Sequence, residues 1–264
     1  MKTDEGIYSF QSDGSGLICG LYMVAKPNYN VEFEFLQFDV GCAKNGLLSV
    51  IDGWELNGQF FPGIDDHQLP RNSRYHEFCG HIKPRKTFKM SQNVGLIEYR
   101  IPNAGQGFMV RVRFVENPRP CNVIIQDLVG IYTIRNYGRR INCTVSIILE
   151  ASFQILSMNI GQSYRPLGNL ISLRNYVVET GIIKKCKKRG MEDYVELLGG
   201  NNLDPYHMTV FEDMCGLRSF SFKKKFKVTC PHTAIRLVSS GQYDNLFEFT
   251  YKADDSASPL ECPN

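Results

Sequence analysis

Residues 31–40 read VEFEFLQFDV, and apolar side chains occupy every second position of this stretch. Val31, Phe33 and Phe35 alternate with glutamates, as expected for a strand that has one face on a core and the other in water. After Phe35 the phase slips by one residue, so that Leu36 opens the next alternating set. The stretch therefore predicts a long β-strand that contains a bulge.

Two more stretches show the same period of two, namely FMVRVRFV at 108–115 and FEFTYK at 247–252. The 23 glycines and 12 prolines gather between such runs, where turns are expected. No long stripe of apolar residues at helical spacing is found. The chain is therefore predicted to be all-β, in a sandwich arrangement.

The second half of the chain repeats the order of features in the first half. From Cys42, and again from Cys186, the chain shows the same order of features: cysteine, strand, glycine turn, cysteine, strand, turn and strand. Two tandem copies of one β-domain explain this order better than one large domain. The proline-rich stretch 116–120 (ENPRP) predicts the hinge, which gives domains at 1–116 and 117–252 and a tail at 253–264.

The chain has 264 residues, 43% of them hydrophobic, and a formal net charge of +3. A charge this small does not indicate a nucleic-acid partner. The basic residues are concentrated in the second half, in the runs 184–189 (KKCKKR) and 223–227 (KKKFK). These runs are interpreted either as solvated loops or as a patch for an anionic glycan.

No stretch approaches the roughly 20 apolar residues that cross a bilayer, so no membrane partner is expected. Residues 17–25 are apolar, but the acidic residues Asp4, Glu5 and Asp13 precede them. A secretory leader carries positive charge at that place, so 17–25 is predicted to be a buried strand. We therefore expect an N-terminus that is either cytosolic or cut short.

The nine cysteines are an odd number, and the repeat predicts how they pair. Cys42 with Cys79 in the first copy corresponds to Cys186 with Cys215 in the second. Cys19 corresponds to Cys143, whose predicted partner is Cys121, so the partner of Cys19 is expected before Met1 and Cys19 is predicted to be unpaired. The remaining pair is Cys230 with Cys262. Spacing alone does not prove this connectivity.

The rival interpretation is a reduced, cytosolic protein. The cysteines contain no CxxC, which disfavours a zinc or redox site, and His76 and His81 lack a second cluster that would complete a metal site. The only Asn-x-Ser/Thr acceptor is Asn142, beside Cys143. A glycan at Asn142 and a disulfide at Cys143 both require the secretory pathway, so a secreted, extracellular glycoprotein is predicted.

Many short motifs, in order over residues 17–252, are shared with one family. They are Asp52-Gly53-Trp54, Phe61-Pro62, Asp66-His67, Leu69-Pro70, Arg74-Tyr75, Phe78-Cys79, Ser91-Gln92-Asn93-Val94, Gly107-Phe108, Pro120-Cys121-Asn122-Val123-Ile124, Asn142-Cys143, residues 193–200 (DYVELLGG), Leu203-Asp204-Pro205, Met208-Thr209 and residues 236–241 (RLVSSG). On these residues the chain resembles the corticotropin-releasing factor-binding proteins.

This resemblance implies a secreted binding protein made of two CUB-like β-sandwiches. The family has five consecutive disulfides, and nine of its ten cysteine positions are present, the absent one preceding Cys19. Many CUB domains bind calcium through acidic side chains. In the first domain Gly46 stands where the calcium-binding set would have an aspartate, although Asp52 is present. The second domain keeps Asp193 but has Gly199 at the position that corresponds to Asp52. Neither calcium-binding set is therefore complete. No cofactor or metal is expected.

The resemblance also implies a partner, a peptide hormone of the corticotropin-releasing-factor or diuretic-hormone class, which the protein would sequester from its receptor. An amphipathic peptide helix lays its apolar face in a groove. The candidate anchor-receiving residues are Trp54, Phe61 and Tyr75, with the alternative that Trp54 fills the core. The competing function is a CUB-type adhesion or glycan-binding module. No nucleophile elbow, Walker loop or His-Glu-x-x-His occurs, so no enzyme is expected.

Overall fold

The computed structural model describes residues 1–162 and 180–254, which are built almost entirely of β-strands. The chain divides into two compact units, and the boundary along the sequence falls between Ile124 and Ile125. Among the residues that the structure describes, the helices are three single 3-10 turns, and none of them is long and apolar enough to span a membrane. They are Ala43–Asn45, Arg71–Ser73 and Pro205–His207. The all-β prediction is confirmed.

The strands of the first unit are β1 (Gly6–Gln11), β2 (Ile18–Val24), β3 (Tyr29–Asp39), β4 (Leu47–Ile51), β5 (Trp54–Leu56), β6 (Gln59–Phe61), β7 (Tyr75–Phe78), β8 (Phe88–Lys89), β9 (Val94–Arg100) and β10 (Gly107–Glu116). Then follow β11 (Val123–Ile125), β12 (Val129–Arg135), β13 (Cys143–Ile147), β14 (Glu150–Ile160), β15 (Gly181–Lys184), β16 (Tyr194–Gly200), β17 (Thr209–Arg218), β18 (Lys225–Val228), β19 (His232–Val238) and β20 (Leu246–Asp254).

The first unit is a sandwich of two four-stranded sheets, ordered β1-β10-β3-β8 and β2-β9-β4-β7. The second unit has the same two orders, β12-β20-β14-β18 and β13-β19-β16-β17, joined into one continuous sheet where β14 pairs with β17. The shared order confirms the tandem β-sandwiches predicted from the repeat. Cys19 in β2 and Cys143 in β13 lie on equivalent strands, next to β9 and β19.

The stretch 31–40 lies in β3, as predicted, and its bulge is confirmed. The β10–β3 register passes from Met109 opposite Gln37 to Val110 opposite Phe35, so Leu36 is the extra residue. Phe35 is 1% exposed and packs in T-shaped contacts with three other phenylalanine rings of the inter-sheet core. The apolar half of the period-two pattern therefore builds the core, as expected from alternation.

Candidate functional site

The motif residues of the first unit meet at a short hairpin, β5–β6, that lies outside the inter-sheet core. Its turn residues Asn57 and Gly58 both have positive φ, at 53° and 79°, which is the geometry of a two-residue type I′ turn. The backbone N–H of Gly58 donates to Glu55 Oε1 at 2.6 Å. Across the hairpin Trp54 faces Phe61.

The hairpin covers the outward face of the sheet β2-β9-β4-β7. Tyr22, Leu96, Ile51 and Tyr75 form one row across this sheet, on the face opposite the core. Leu96 and Ile51 are nevertheless at most 1% exposed. The indole N–H of Trp54 donates to the Met23 carbonyl at 3.1 Å, and its ring meets Tyr22 edge-on at 5.5 Å. The hairpin therefore buries an apolar row that the sandwich alone would leave in water.

The loop that follows β6 is held by a buried arginine. Arg74 is 2% exposed, and its guanidinium donates to the carbonyl oxygens of Pro62 at 2.7 Å, Gly63 at 2.9 Å and Leu69 at 3.4 Å. The planar fork of arginine suits several acceptors at once. Asn122 adds a bond from its side-chain amide to the Asp66 carbonyl at 3.0 Å. We call residues 54–74, the hairpin with its clamped loop, the cap.

Asp52 anchors the base of the cap. Its carboxylate accepts the Ser91 backbone N–H at 2.7 Å, the Ser91 hydroxyl at 2.6 Å and the Gln92 side-chain amide at 2.6 Å. Leu69 donates its N–H to Nδ1 of His67, so Nε2 carries the ring proton, and Nε2 lies 3.2 Å from Asp52 Oδ2. Burial disfavours the charged carboxylate, but the contacts with His67 and Ser91 outweigh it, and the pKa of Asp52 is lowered.

The three residues predicted to receive peptide anchors all lie at the cap, but their exposure differs. Trp54 is 4% exposed and Phe61 is fully buried, whereas Tyr75 is half-buried. Trp54 packs on the outer face of a sheet and not between the two sheets, which neither interpretation of the sequence anticipated. Tyr75 meets the Phe60 ring at 6.0 Å, and the Arg71 guanidinium lies 4.1 Å above that ring. A peptide-contact role of Trp54, Phe61 and Tyr75 stays a prediction.

The cap presents other apolar side chains to solvent, and sequence reasoning did not single them out. Leu56 is 44% exposed, Ile64 59% and Leu69 43%. Leu56 lies beside the hairpin turn, and Ile64 and Leu69 lie on the loop that Arg74 holds. The Leu69-Pro70 and Arg74-Tyr75 motifs were the signal in the sequence that could have indicated this region. The motifs do not reveal that Arg74 fixes the backbone of the loop that carries Ile64 and Leu69.

The half-buried groups beside the hairpin are acidic and phenolic. Burial raises the pKa of Glu98, and the neighbouring Glu55 raises it further. Burial likewise raises the pKa of Tyr22, with Glu55 and Glu98 adding to the effect. Neither glutamate has a lysine, arginine or histidine within ion-pair distance among the described residues. The field at this edge of the cap therefore favours a cation.

Eight of the nine predicted cysteine sites lie in the described part of the chain. Disulfides join Cys42 to Cys79, with Cα atoms 5.0 Å apart, and Cys186 to Cys215, with Cα atoms 6.1 Å apart. Cys121, Cys143 and Cys230 also belong to disulfides, and Cys19 is free. Cys262 lies outside the described residues, so its pairing with Cys230 stays a prediction, as does the pairing of Cys121 with Cys143.

Asn142, the predicted glycosylation site, is half-buried at the start of β13, and its side-chain oxygen accepts the Ser239 N–H at 3.4 Å. In the second unit Asp193 accepts the Ser240 hydroxyl at 2.5 Å and the Asn245 side-chain amide at 2.6 Å. Within the described part of the chain no group of three or more His, Cys, Asp or Glu side chains is placed to hold a metal ion.

Comparison with known families gives matches over both units. Residues 1–116 match the family model described as corticotropin-releasing factor binding protein N-terminal domain, and residues 123–258 match that of the C-terminal domain. The corticotropin-releasing factor-binding protein of Ovis aries is 33% identical over 265 residues, which cover all of this chain and 76% of the sheep protein. That of Homo sapiens is 33% identical over 264 residues, which cover 100% of this chain and 77% of the human protein.

Solved structures that match include the CUB1-EGF-CUB2 domains of human MASP-1/3, with 12% identity and a TM-score of 0.31, over 94% of this chain and 99% of that one. The same domains of rat MASP-1 have 12% identity and a TM-score of 0.30, over 96% and 99% of the two chains.

Proposed function

Because the chain belongs to the corticotropin-releasing factor-binding protein family, we propose that it binds corticotropin-releasing-factor-like peptides outside the cell and limits their signalling. The observation that carries the proposal is the match of both units to the two domains of this family, together with relatives named for this binding. The disulfides support an extracellular location, because they persist in oxidising compartments.

We further propose that the cap supplies part of the peptide-binding surface. Exposed apolar side chains on a rigid loop suit the apolar face of an amphipathic helix. Leu56, Ile64 and Leu69 are each about half exposed, so a peptide that covered them would remove further apolar area from water. Full burial of one such side chain contributes about 1.5–3 kcal/mol, before the costs of association are subtracted.

The charges beside the hairpin support the same placement. Burial, with a smaller effect of Glu55, raises the pKa of Glu98, and a lysine or arginine on the polar face of a bound helix would favour its charged form. The rigidity of the loop supports it as well. Since Arg74 already holds the loop backbone, little ordering entropy remains to be lost when a peptide binds.

The proposal includes a second ligand class and has one competing function. Diuretic-hormone-like peptides stay within the proposal as a second ligand class, because an amphipathic helix of either class would fit the same surface. The competing function, an adhesion or glycan-binding module, is less favoured because the matched relatives are named for peptide binding.

The test is calorimetric titration of the full chain with an amidated corticotropin-releasing factor peptide and with a scrambled peptide of the same composition. We expect saturable heat from the first peptide only, and equal heats would overturn the proposed function. The cap variant Leu56→Ser/Ile64→Ser/Leu69→Ser is then compared with Ile7→Ser/Ile82→Ser/Val115→Ser, which changes exposed apolar side chains elsewhere in the first unit. The cap variant is expected to bind at least about tenfold more weakly.

These two comparisons separate the function from its placement. If the wild-type chain binds the peptide and the two triple variants bind it equally well, the function stands and the cap is not the binding surface. Thermal unfolding of both variants shows whether a loss of binding reflects a loss of fold.

A further inference from the structure

The second unit carries a flat basic face that peptide binding at the cap does not use. In β18 the residues Lys225 and Lys227 alternate with Phe226, and the β18–β14 register places them opposite Gln154 and Ser152. Ser152 also faces Lys252 of β20. Residues directly opposite in antiparallel strands point to the same face, so the three lysine side chains share one face.

This face points away from the core. Phe153 and Tyr251, which alternate with Ser152 and Lys252, are 2% and 5% exposed and pack inward. The three lysines are exposed. Lys227 and Lys252 lie on either side of Ser152, so their Cα atoms are about 10 Å apart, which is two strand spacings. The Cα atoms of Lys225 and Lys227 are about 7 Å apart along one strand. We call this set, Lys225, Lys227 and Lys252 with the side chains between them, the basic face.

Two carboxylates share the face with the lysines: Glu150, and Glu248, which lies two residues before Thr250 in β20 and accepts the Ser157 hydroxyl. Lys227 contacts the buried carboxylate of Glu150 at 2.5 Å. Lys225 and Lys252 have no acidic oxygen within 4.0 Å among the described residues. The side chains between the lysines are Ser152, Gln154 and Thr250, which are neutral hydrogen-bonding groups. The face therefore combines spaced cations with hydroxyl and amide groups.

More cations are held along the β18 edge by aromatic rings. The ammonium groups of Lys184 and Lys224 lie 5.8 and 5.7 Å from the centre of the Phe226 ring. The Arg218 guanidinium lies 5.3 Å from the ring of Phe222, which stacks on Phe226 at 6.2 Å. Cation–π contacts of this kind restrain long flexible side chains. Because Phe226 alternates with Lys225 and Lys227, its ring lies on the other side of β18, so these cations belong to the strand edge and not to the basic face.

We propose that the basic face binds a sulfated glycan chain. Such a chain carries anionic groups at repeated intervals and offers hydroxyls and amides between them, which matches lysines separated by Ser152, Gln154 and Thr250. The neutral polar groups between the lysines favour a polysaccharide, whereas the exposed Val129 and Ile131, which lie opposite Lys252 and Thr250 at the border of the face, make an anionic lipid surface the alternative that the test must separate. This interaction is independent of the peptide and uses the second unit alone.

The test uses the full chain and immobilised heparin, with surface plasmon resonance at about 150 mM salt. The variant Lys225→Ser/Lys252→Ser removes the two lysines of the basic face that do not pair with the buried Glu150. Its matched control, Lys26→Ser/Lys83→Ser, removes the same charge from exposed positions of the first unit. A third variant replaces Lys225 and Lys252 by arginine and keeps the charge.

We expect the serine variant of the basic face to bind heparin at least about tenfold more weakly. Its affinity should also depend less steeply on salt concentration, because fewer counterions are released when fewer lysines contact the glycan. The control and the arginine variant should retain binding, and desulfated heparin should bind none of the proteins. Equal losses in the basic-face variant and the control would overturn the proposal. So would absence of heparin binding, or binding to vesicles of anionic lipid in its place.

Discussion

The guanidinium of Arg74 donates a 2.7 Å hydrogen bond to the carbonyl oxygen of Pro62, twelve residues back along the chain. Both residues are buried, and the bond closes the loop that carries Ile64 and Leu69. A loop of this length usually owes its order to contacts made by its own side chains. In this protein Arg74, the residue before β7, contacts three carbonyl groups of the loop, and Asn122 and His67 add one hydrogen bond each.

Replacing Arg74 by methionine should release the loop while leaving the sandwich folded. The change removes the donors for three carbonyl groups, and loss of such charge-assisted bonds costs about 2–4 kcal/mol. Hydrogen exchange should show faster exchange confined to residues 62–73. The affinity for the peptide should also fall in this variant, because the backbone that carries Ile64 and Leu69 is no longer fixed. Unchanged exchange in the loop would contradict the clamp, and Arg85→Met serves as the control because Arg85 is exposed and lies outside the cap.

Asp52 should make the stability of the first unit depend on pH in the acidic range. Its folded pKa is lowered, so its contribution is fully present above the unfolded value of about 4 and is lost as pH falls through the folded value. Asp52→Asn should lower the free energy of unfolding by about 2–4 kcal/mol at pH 7 and by much less near pH 2. Urea unfolding at the two pH values measures this, with the exposed Asp4→Asn as control. A difference that is the same at both pH values would be inconsistent with the assignment.

Trp54 is the only tryptophan of the chain, so its fluorescence reports on the cap alone. Because the indole is 4% exposed, emission should be blue-shifted in the native protein and should move to longer wavelength when the cap opens. Trp54→Phe leaves the Met23 carbonyl without its donor and should cost about 1–3 kcal/mol in urea unfolding followed by circular dichroism. Tyr22→Phe, which removes only the hydroxyl bond to the Glu55 carbonyl, should cost less. The reverse order would contradict this account of the hairpin.

The Cys42–Cys79 disulfide closes a loop with a sequence separation of 37. Loop-closure entropy predicts that Cys42→Ala/Cys79→Ala lowers the free energy of unfolding by about 2–4 kcal/mol. Thermal unfolding of the double variant and of Cys19→Ala provides the comparison, because Cys19 takes part in no disulfide. Equal effects of the two changes would argue against a structural role for the bridge.

Peptide mapping without reduction should yield the linked fragments Cys42–Cys79 and Cys186–Cys215, and Cys19 should react with a thiol-specific alkylating reagent. Cys121–Cys143 and Cys230–Cys262 are the further pairs expected from the repeat. A linkage that joins any of these cysteines differently would overturn the correspondence between the two copies. Recovery of all nine cysteines as free thiols would overturn the extracellular assignment as well.

Most of the fold could be predicted because its signals are local. Alternation at 31–40 follows from the geometry of a strand, whose neighbouring side chains point to opposite faces, and the slip at Leu36 became the bulge of β3. The order of cysteines, strands and turns is also written along the chain, so the duplication could be read before any contact was known. The apolar stretch at 17–25 forms β2, but the prediction that it is buried was wrong for its first part, because Leu17 and Ile18 are each 69% exposed and only Met23, Val24 and Ala25 are buried.

The site could be predicted only in part. The motifs around Trp54, Phe61 and Tyr75 marked the right region, but alternation does not indicate on which side of a sheet a separate hairpin packs. Trp54 could have filled the space between the sheets, and the structure places it on the outer face under Tyr22. The lysines of the basic face come from two distant segments, and their common face follows from strand register, which no single segment encodes.

The amino-acid sequence by itself determined the strands, the duplication and the family, because each depends on the order and spacing of residues along the chain. Only the tertiary structure decided that Arg74 holds the loop of Pro62 and Leu69, that Trp54 covers the outside of a sheet, and that Lys225, Lys227 and Lys252 share a face. These relationships join residues that are apart in sequence, and the folding free energy selects them through burial and hydrogen bonding of the whole domain.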